Sequence, residues 1–267
     1  MPVRPDAPVV KREDMVAGLK SAGLAAGDLV IVHTSLSAFG KVQGGPDTLI
    51  DAILDVLAPA GTVIFPTFAG VKLDHLELTP QQNPAYTGIV PVTASRRPGF
   101  VNSTHPFYAC CGHGPLAQEI CQFNDRRIFP SAKDKFIYRM GELGGKVLLL
   151  GVTHDNNSAV HLVEEFSRVE YKVQDLQWWN TTIEEFRALP REKRQEAIDR
   201  HLAHNLPYRP AVHLNAIDQP LRRIGAIRTV RIGNAQCHLM KIMDVVRVGE
   251  EESRKNPWFL CDKVGKA

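Results

Sequence analysis

The chain has few cysteines, and they are poorly spaced for a disulfide or metal framework. Its 267 residues include five cysteines, an odd number, and no two of them form a CxxC pair. This spacing argues against a disulfide scaffold and against a structural zinc site. The five are Cys110, Cys111, Cys121, Cys237 and Cys261.

Long apolar runs and dense basic segments are also missing. No stretch of about 18 apolar residues occurs, the length that a membrane-spanning helix needs. The opening MPVRPDAPVVKRED lacks the apolar stretch of a secretory signal. The formal net charge is only +3 and no block of Lys and Arg is present, so a nucleic-acid surface is not indicated. These absences predict a cytoplasmic protein that binds neither membranes nor nucleic acid.

Two common site signatures are absent as well. Gly44 and Gly45 lack the Lys-Ser/Thr pair that follows the glycines of a P-loop, so we interpret them as a sharp turn. The motif at His161 is HxxE, not the HExxH of zinc proteases. His201 and His204 share one face of a charged helix, but without a third ligand that pattern favours a solvated face.

The sequence does contain enough apolar residues for a sizeable core. They make up 44% of the chain, an ordinary share for a globular protein. Asp28–His33 and Thr62–Pro66 have the apolar composition of buried strands, and Asp47–Leu57 between them has helical spacing. A strand, helix, strand unit predicts parallel strands. We therefore predict an α/β fold, with a mainly parallel central sheet, helices on both faces in three layers, and irregular insertions.

The remaining segments suggest one domain with elaborations. Residues 1–10 are proline-rich and predicted to form a flexible tail, whereas residues 11–267 show no linker or repeat and are predicted to form a single domain. The polar loop from Gly70 to Tyr86 is long, which favours a lid or binding loop. Ile183–His204 is predicted to form one or two surface helices broken near Pro190, and Arg222–Val248 is predicted to form short strands plus a helix starting near Gly233.

The most informative stretch is VLLLGVTHDNNSAVHLVEE, residues 147–165. Its apolar start predicts a buried strand, its polar centre a turn, and its end a helix with Asn157 or Ser158 at the N-cap. His161 and Glu164 are three residues apart, on one face of that helix. An α/β protein presents a base at the end of its sheet in this way, so the segment indicates proton-transfer chemistry. By themselves, the same residues also fit a histidine that packs at a helix start and a solvated acid.

Three motifs, in order, resemble the aminoglycoside N3-acetyltransferase family. VHTSLSAFGKVQGGPDTLIDAILDVLAPAGTVIFPTF, residues 32–68, is similar to the family's strand, His-Ser-Ser-Leu turn, Gly-Gly, helix and strand. STHPFYACCGHG, residues 103–114, resembles its Ser-x-His-Pro segment. LLLGVTHDNNSAVHLVEE, residues 148–165, resembles its Leu-Leu-Leu-Gly-Val strand and Thr-x-x-His-x-x-Glu helix. Thr34 and Ser158 replace the usual Ser and Thr, and both keep a hydroxyl.

The resemblance implies acetyl transfer from acetyl-CoA to the 3-amino group of 2-deoxystreptamine aminoglycosides, a cause of antibiotic resistance. The resemblance implies no metal. His161 would act as the base for direct attack of the amine on the thioester, and Glu164 would stabilise the His161 imidazolium or bind the acceptor's ammonium. Base catalysis of this kind contributes ~10²–10⁴-fold. The cofactor contacts that it implies are His33, Thr34, Ser35, Leu36, Ser103, His105 and Ser131. The substrate contacts are Asp155, Asn157 and Glu165; Asp155 alone also fits an ordinary turn residue.

Three other functions remain open from the sequence. The first is the same chemistry on another amine, favoured by the pI of about 8.6 and by the few acids between Gly70 and Tyr86, because polycationic substrates favour acidic clefts. The second is a metallohydrolase that uses His154, His161 and Glu164. The third is a CoA- or sugar-binding protein without catalysis.

Two smaller alternatives concern side chains whose role the pattern leaves open. Cys110 and Cys111 suggest a thiol nucleophile, but direct transfer needs no acyl-enzyme. Trp178 and Trp179 belong either to the core or to a wall of the acceptor pocket. We expect a monomer or a homodimer.

Overall fold

The computed structural model describes residues 7–79, 82, 84–123, 126–167, 180–203 and 212–262. Most described strands belong to one sheet. The strands are β1 (Val9–Val10), β2 (Leu29–Thr34), β3 (Lys41–Val42), β4 (Thr62–Pro66), β5 (Val101–Asn102), β6 (Cys110–His113), β7 (Lys146–Leu150), β8 (Arg228–Ile232) and β9 (Ala235–Lys241). Seven of them form a sheet in the order β5-β6-β4-β2-β7-β9-β8, and β1 pairs separately with β3.

Helices connect these strands and cover the sheet. They are α1 (Arg12–Ser21), α2 (Gly45–Leu57), α3 (Ile89–Ser95), α4 (Ala117–Phe123), α5 (Phe136–Glu142), α6 (Val160–Phe166), α7 (Ile183–Ala188), α8 (Arg191–Ala203), α9 (Asp218–Arg223) and α10 (Ile242–Lys255). No helix of the described segments is both long and apolar enough to span a lipid bilayer.

The sheet is mixed, so the prediction of a mainly parallel sheet is wrong. Within the described seven-stranded sheet, only the central strands β4, β2 and β7 pair in parallel; the four outer pairings are antiparallel. The prediction extended the early strand, helix, strand unit to the whole chain and did not recognise β6 as a strand. It also placed a helix start near Gly233, where the structure has the turn of the β8–β9 hairpin. Antiparallel strands need only such a short turn.

Helices cover both faces of the sheet, as predicted. Successive side chains of a strand point to opposite faces, and β2 shows this clearly. Val30 and Val32 belong to the hydrophobic core beneath α1 and α2. Ile31 belongs to the second core, beneath α5, α6 and α10. The sheet therefore lies between two helical layers.

A third, smaller cluster holds the insertions together. It joins Leu73 and Leu76 of the long loop to apolar residues of α7 and α8. The two helices lie on either side of Pro190, where the sequence predicts the break. At the other end of the chain, Val9 and Val10 lie within the predicted tail, yet they pair in parallel with β3, and Val10 is buried.

Candidate active site

The site is built where β2 and β7 end. These strands pair in parallel, with His33 opposite Leu149 and Thr34 opposite Leu150. Their carboxyl ends therefore meet at one edge of the sheet, which is where open α/β sheets bind ligands. Beyond this edge the chain turns into the Ser35 segment after β2 and into the Gly151 turn after β7.

A cleft of about 910 Å³ opens at this edge. Thr34, Ser35 and Leu36, three of the predicted cofactor contacts, line it together with the Gly88–Val90 and Gly151–Thr153 segments. The Thr34 hydroxyl oxygen is buried and has no hydrogen-bond partner. A buried polar atom without a partner is costly, so this hydroxyl is available to a bound ligand.

The electrostatics of the cleft favour an anion over a cation. Among the described residues that line it, Lys41 supplies a positive charge and none carries a carboxylate. The other polar groups of the cleft are hydroxyls, backbone amides and Asn156. Such a lining suits a ligand with amide and phosphate groups better than it suits a polycation.

His161 and Glu164 form a hydrogen-bonded pair on α6. The His161 Nδ1 atom lies 2.6 Å from Glu164 Oε2. The imidazole side chain is 49% exposed, whereas the glutamate side chain is 5% exposed. The buried carboxylate accepts the Nδ1 proton, which fixes the tautomer and leaves the exposed Nε2 as the basic nitrogen.

His33 connects the end of β2 to the start of α6. It is buried, and the Ser158 backbone N–H donates to its Nε2 at 3.5 Å. Burial, together with the nearby His161, lowers the pKa of His33 to about 3. His33 is therefore neutral, and it lies beside the proposed base. Its predicted contact with a cofactor stays a prediction.

Asn157, a predicted substrate contact, is buried just before α6. It is 1% exposed. Its Oδ1 accepts from the Ala159 N–H at 3.1 Å, and its Nδ2 donates to His154 Nδ1 at 3.1 Å. Both ends of the amide are therefore used inside the protein, at the start of α6, and the predicted substrate contact of Asn157 stays a prediction.

Ser103 and His105 lie outside the large cleft, at a separate small recess. The His105 Nε2 donates to the Arg127 carbonyl at 2.8 Å. Its Nδ1 accepts from the Phe107 and Tyr108 N–H groups at 3.1 and 3.0 Å. His105 therefore shapes the loop before β6, and its predicted contact with a cofactor stays untested.

The other predicted contacts also have partners within the protein. Ser131 donates to Asp134 at 2.7 Å. Asp155 accepts hydrogen bonds from Thr153 and Asn215. The buried Glu165 forms an ion pair with Lys135, so its charge is already offset. These contacts leave the predicted roles of Ser131, Asp155 and Glu165 as predictions.

The thiol-nucleophile alternative does not fit the structure. Cys110 and Cys111 are both fully buried, and burial raises the pKa of the Cys111 thiol well above its usual value. A buried thiol with a raised pKa is not a reactive nucleophile. Trp178, Trp179 and His204, which the sequence analysis also singled out, lie outside the described residues.

The metallohydrolase alternative needs His154 beside His161 and Glu164. The His154 ring instead faces Asn157 on one side and Asp218 on the other. Within the described ranges, no three His, Cys, Asp or Glu side chains are grouped so that they could hold a metal ion.

The buried histidines predict that acid destabilises the fold. Burial lowers the pKa of His154 to about 4 and that of His33 to about 3, both from 6.5. At a pH between these lowered pKa values and 6.5, the unfolded chain binds more protons than the folded chain. The free energy of unfolding therefore decreases as the pH falls below about 6.5. From pH 7 to pH 5 we expect a loss of about 2 kcal/mol from each histidine.

Urea denaturation of the wild type and of His154→Asn at both pH values measures this loss. The variant should lose about 2 kcal/mol less than the wild type over the same interval. Equal losses in the two proteins would show that His154 does not stay neutral in the folded state.

Comparison with known proteins identifies the family of the chain. The family model for aminoglycoside 3-N-acetyltransferase matches residues 31–252. Aminoglycoside N(3)-acetyltransferase VIII of Streptomyces fradiae is 31% identical over 92% of this chain and 93% of the relative. Aminoglycoside N(3)-acetyltransferase IV of Salmonella sp. is 33% identical, and this alignment spans 61% of the chain and 62% of the relative.

Two solved structures share the fold. The acetyltransferase AAC(3)-IVa, as a histidine-to-alanine mutant in complex with a gentamicin, matches with a TM-score of 0.76 and 23% identity, over 97% of this chain and 94% of that one. AAC-IIIb as a binary complex with CoASH matches with a TM-score of 0.68 and 18% identity, over 97% and 100%. The chain therefore belongs to the aminoglycoside 3-N-acetyltransferase family and is an acetyl-CoA-dependent acetyltransferase.

Proposed function

We propose that this enzyme acetylates the 3-amino group of 2-deoxystreptamine aminoglycosides, with His161 as the general base, and so confers resistance to them. The observation that carries the proposal is the 2.6 Å contact between His161 Nδ1 and Glu164 Oε2, which pairs an exposed imidazole with a buried carboxylate. An oriented imidazole of this kind is the common form of a base in acyl transfer.

The proposed reaction is direct attack of the amine on the thioester. The acceptor arrives as an ammonium, and His161 Nε2 takes one of its protons. The amine nitrogen then forms the C–N bond with the acetyl carbon, and the C–S bond breaks. The second proton leaves the nitrogen and neutralises the departing thiolate, and the imidazolium returns its proton to solvent. Glu164 stabilises the imidazolium while it exists.

The cleft at Thr34 suits the cofactor. The unpartnered Thr34 hydroxyl and nearby backbone amides offer hydrogen bonds to the amides of a pantetheine arm or to the tetrahedral oxyanion. Lys41 supplies positive charge for phosphate groups. His161 does not line this cleft, but His33 stands next to both His161 and the Thr34 turn. We therefore place the thioester near His33, between the cleft and α6.

The acceptor class is supported by the relatives. The proteins from Streptomyces fradiae and Salmonella sp. are both aminoglycoside N(3)-acetyltransferases, and AAC(3)-IVa has been solved with a gentamicin. An amine acceptor also agrees with a base at His161. An ammonium has no free lone pair, so it must lose a proton before its nitrogen can attack the thioester.

Thiol release from acetyl-CoA tests this proposal. We expect rapid release with 2-deoxystreptamine aminoglycosides and none with analogues that lack the 3-amino group, and NMR of the product should show acetylation at that nitrogen. Release with simple amines but not with aminoglycosides would assign the same chemistry to another substrate. Release without any acceptor, with an acetylated protein, would contradict direct attack.

A further inference from the structure

We infer that His154 is a positioning residue for this reaction, acting through Asn157 on the first turn of the helix that carries His161. The inference rests on the proposed function, because it concerns the placement of the proposed base. His154 lies outside the large cleft and has no part in the mechanism above.

The hydrogen bonds define how His154 acts. The Asn157 Oδ1 accepts from the Ala159 N–H, and this orients the amide so that its Nδ2 faces the His154 ring. Nδ2 can only donate, so His154 Nδ1 must be the acceptor at 3.1 Å and Nε2 must carry the ring proton. Only neutral His154 makes this contact, and burial favours that state by lowering its pKa to about 4.

An acidic side chain, Asp218, lies on the other side of the ring. The His154 Nε2 lies 3.5 Å from Asp218 Oδ1, and it is buried without a hydrogen bond of its own. Asp218 is held in turn by Arg222, at 2.6 and 3.1 Å. His238 lines the same polar cavity of about 430 Å³. His154 is thus reached from this cavity and not from the large cleft.

The start of α6 packs in the core through Ala159 and Val160, and two side chains, His33 and Asn157, also accept hydrogen bonds from its backbone. The helix has only seven residues, from Val160 to Phe166, and His161 lies in its first turn. The Ser158 N–H contact to His33 is long at 3.5 Å. The shorter hydrogen bond runs from the Ala159 N–H to Asn157 Oδ1, at 3.1 Å, and His154 holds the other end of the same amide. We call these two hydrogen bonds of Asn157 the tether. Loss of this tether would move His161 relative to the thioester, and a shift of about 1 Å costs about 10²-fold in rate.

The test compares variants that differ only at the tether. His154→Leu removes the acceptor, whereas the side-chain oxygen of His154→Asn can take the place of Nδ1. We expect His154→Leu to lower kcat about 10- to 100-fold with little change in the KM for acetyl-CoA, and His154→Asn to recover most of that loss. A folded His154→Leu with the wild-type kcat, or a His154→Asn as impaired as His154→Leu, would overturn the inference.

A second variant covers the case in which His154→Leu does not fold. Asn157→Ala removes the donor to His154 together with the acceptor for the Ala159 N–H, and it adds no buried charge. It should lower kcat to a similar extent, and wild-type kcat here would also overturn the inference. His113→Leu is the matched control: His113 pairs with Val63 near the start of β4, at the opposite edge of the sheet, and its kcat should not change.

Hydrogen exchange separates this inference from the proposed function. Amides at the start of α6 should exchange faster in His154→Leu and Asn157→Ala than in the wild type and in His113→Leu. If His161→Ala keeps full activity, the proposed base is wrong, yet this exchange still reports whether His154 positions the helix. Unchanged exchange in both tether variants would contradict the inference independently of any activity.

Discussion

Replacement of His161 by alanine should lower kcat by about 10²–10⁴-fold, the usual contribution of a general base. The physical reason is that the variant loses an exposed imidazole nitrogen that the buried Glu164 carboxylate orients. The KM for acetyl-CoA should change little, because His161 does not line the cleft assigned to the cofactor. Steady-state kinetics of thiol release measure both quantities.

Two observations control for damage to the fold. The His161 side chain is 49% exposed, so the alanine variant should keep the wild-type melting temperature within a few degrees. Glu164→Gln keeps a hydrogen-bond acceptor but removes the charge that stabilises the imidazolium, and it should fall between the wild type and His161→Ala. If His161→Ala is folded and retains more than a tenth of the wild-type kcat, His161 is not the base.

Replacement of Gly114 by alanine should destabilise the fold by roughly 3 kcal/mol or more. Gly114 has a φ of +117°, which residues with a Cβ rarely adopt. An added Cβ would overlap the Gly61 carbonyl oxygen and lie 2.8 Å from Thr62 Cα. Both are backbone atoms where β4 begins, so they cannot move aside as a flexible side chain can. This crowding explains the glycine at the end of STHPFYACCGHG.

Gly27→Ala is the matched control for this second prediction. Gly27 also has a positive φ, of +82°, but an added Cβ would meet nothing within 4 Å. Its alanine variant should therefore lose only the conformational part, about 1 kcal/mol. Urea denaturation of both variants gives the two free energies of unfolding. Equal losses would mean that the contact with β4 does not matter.

Local pattern was sufficient for β2, α2 and β4 and for the contact between His161 and Glu164. Thr62–Pro66 forms β4 as predicted, and Asp47–Leu57 falls within α2. His161 and Glu164 meet because residues three apart on a helix are neighbours. These features depend on periodicity within a short segment, which can be read without knowledge of the rest of the chain.

The direction of the outer strands and the partners across the sheet were decided by the tertiary structure. β6 runs antiparallel to β4, and nothing within Cys110–His113 specifies that direction. The fold also buries Asn157 against His154 and brings Asp218 to the same ring, which no pattern within residues 147–165 indicates. Such pairings join distant segments, and they form where packing of the two cores removes apolar surface from water. A short sequence pattern therefore predicts which residues share a helix face, whereas the packed fold determines which of them reach a ligand.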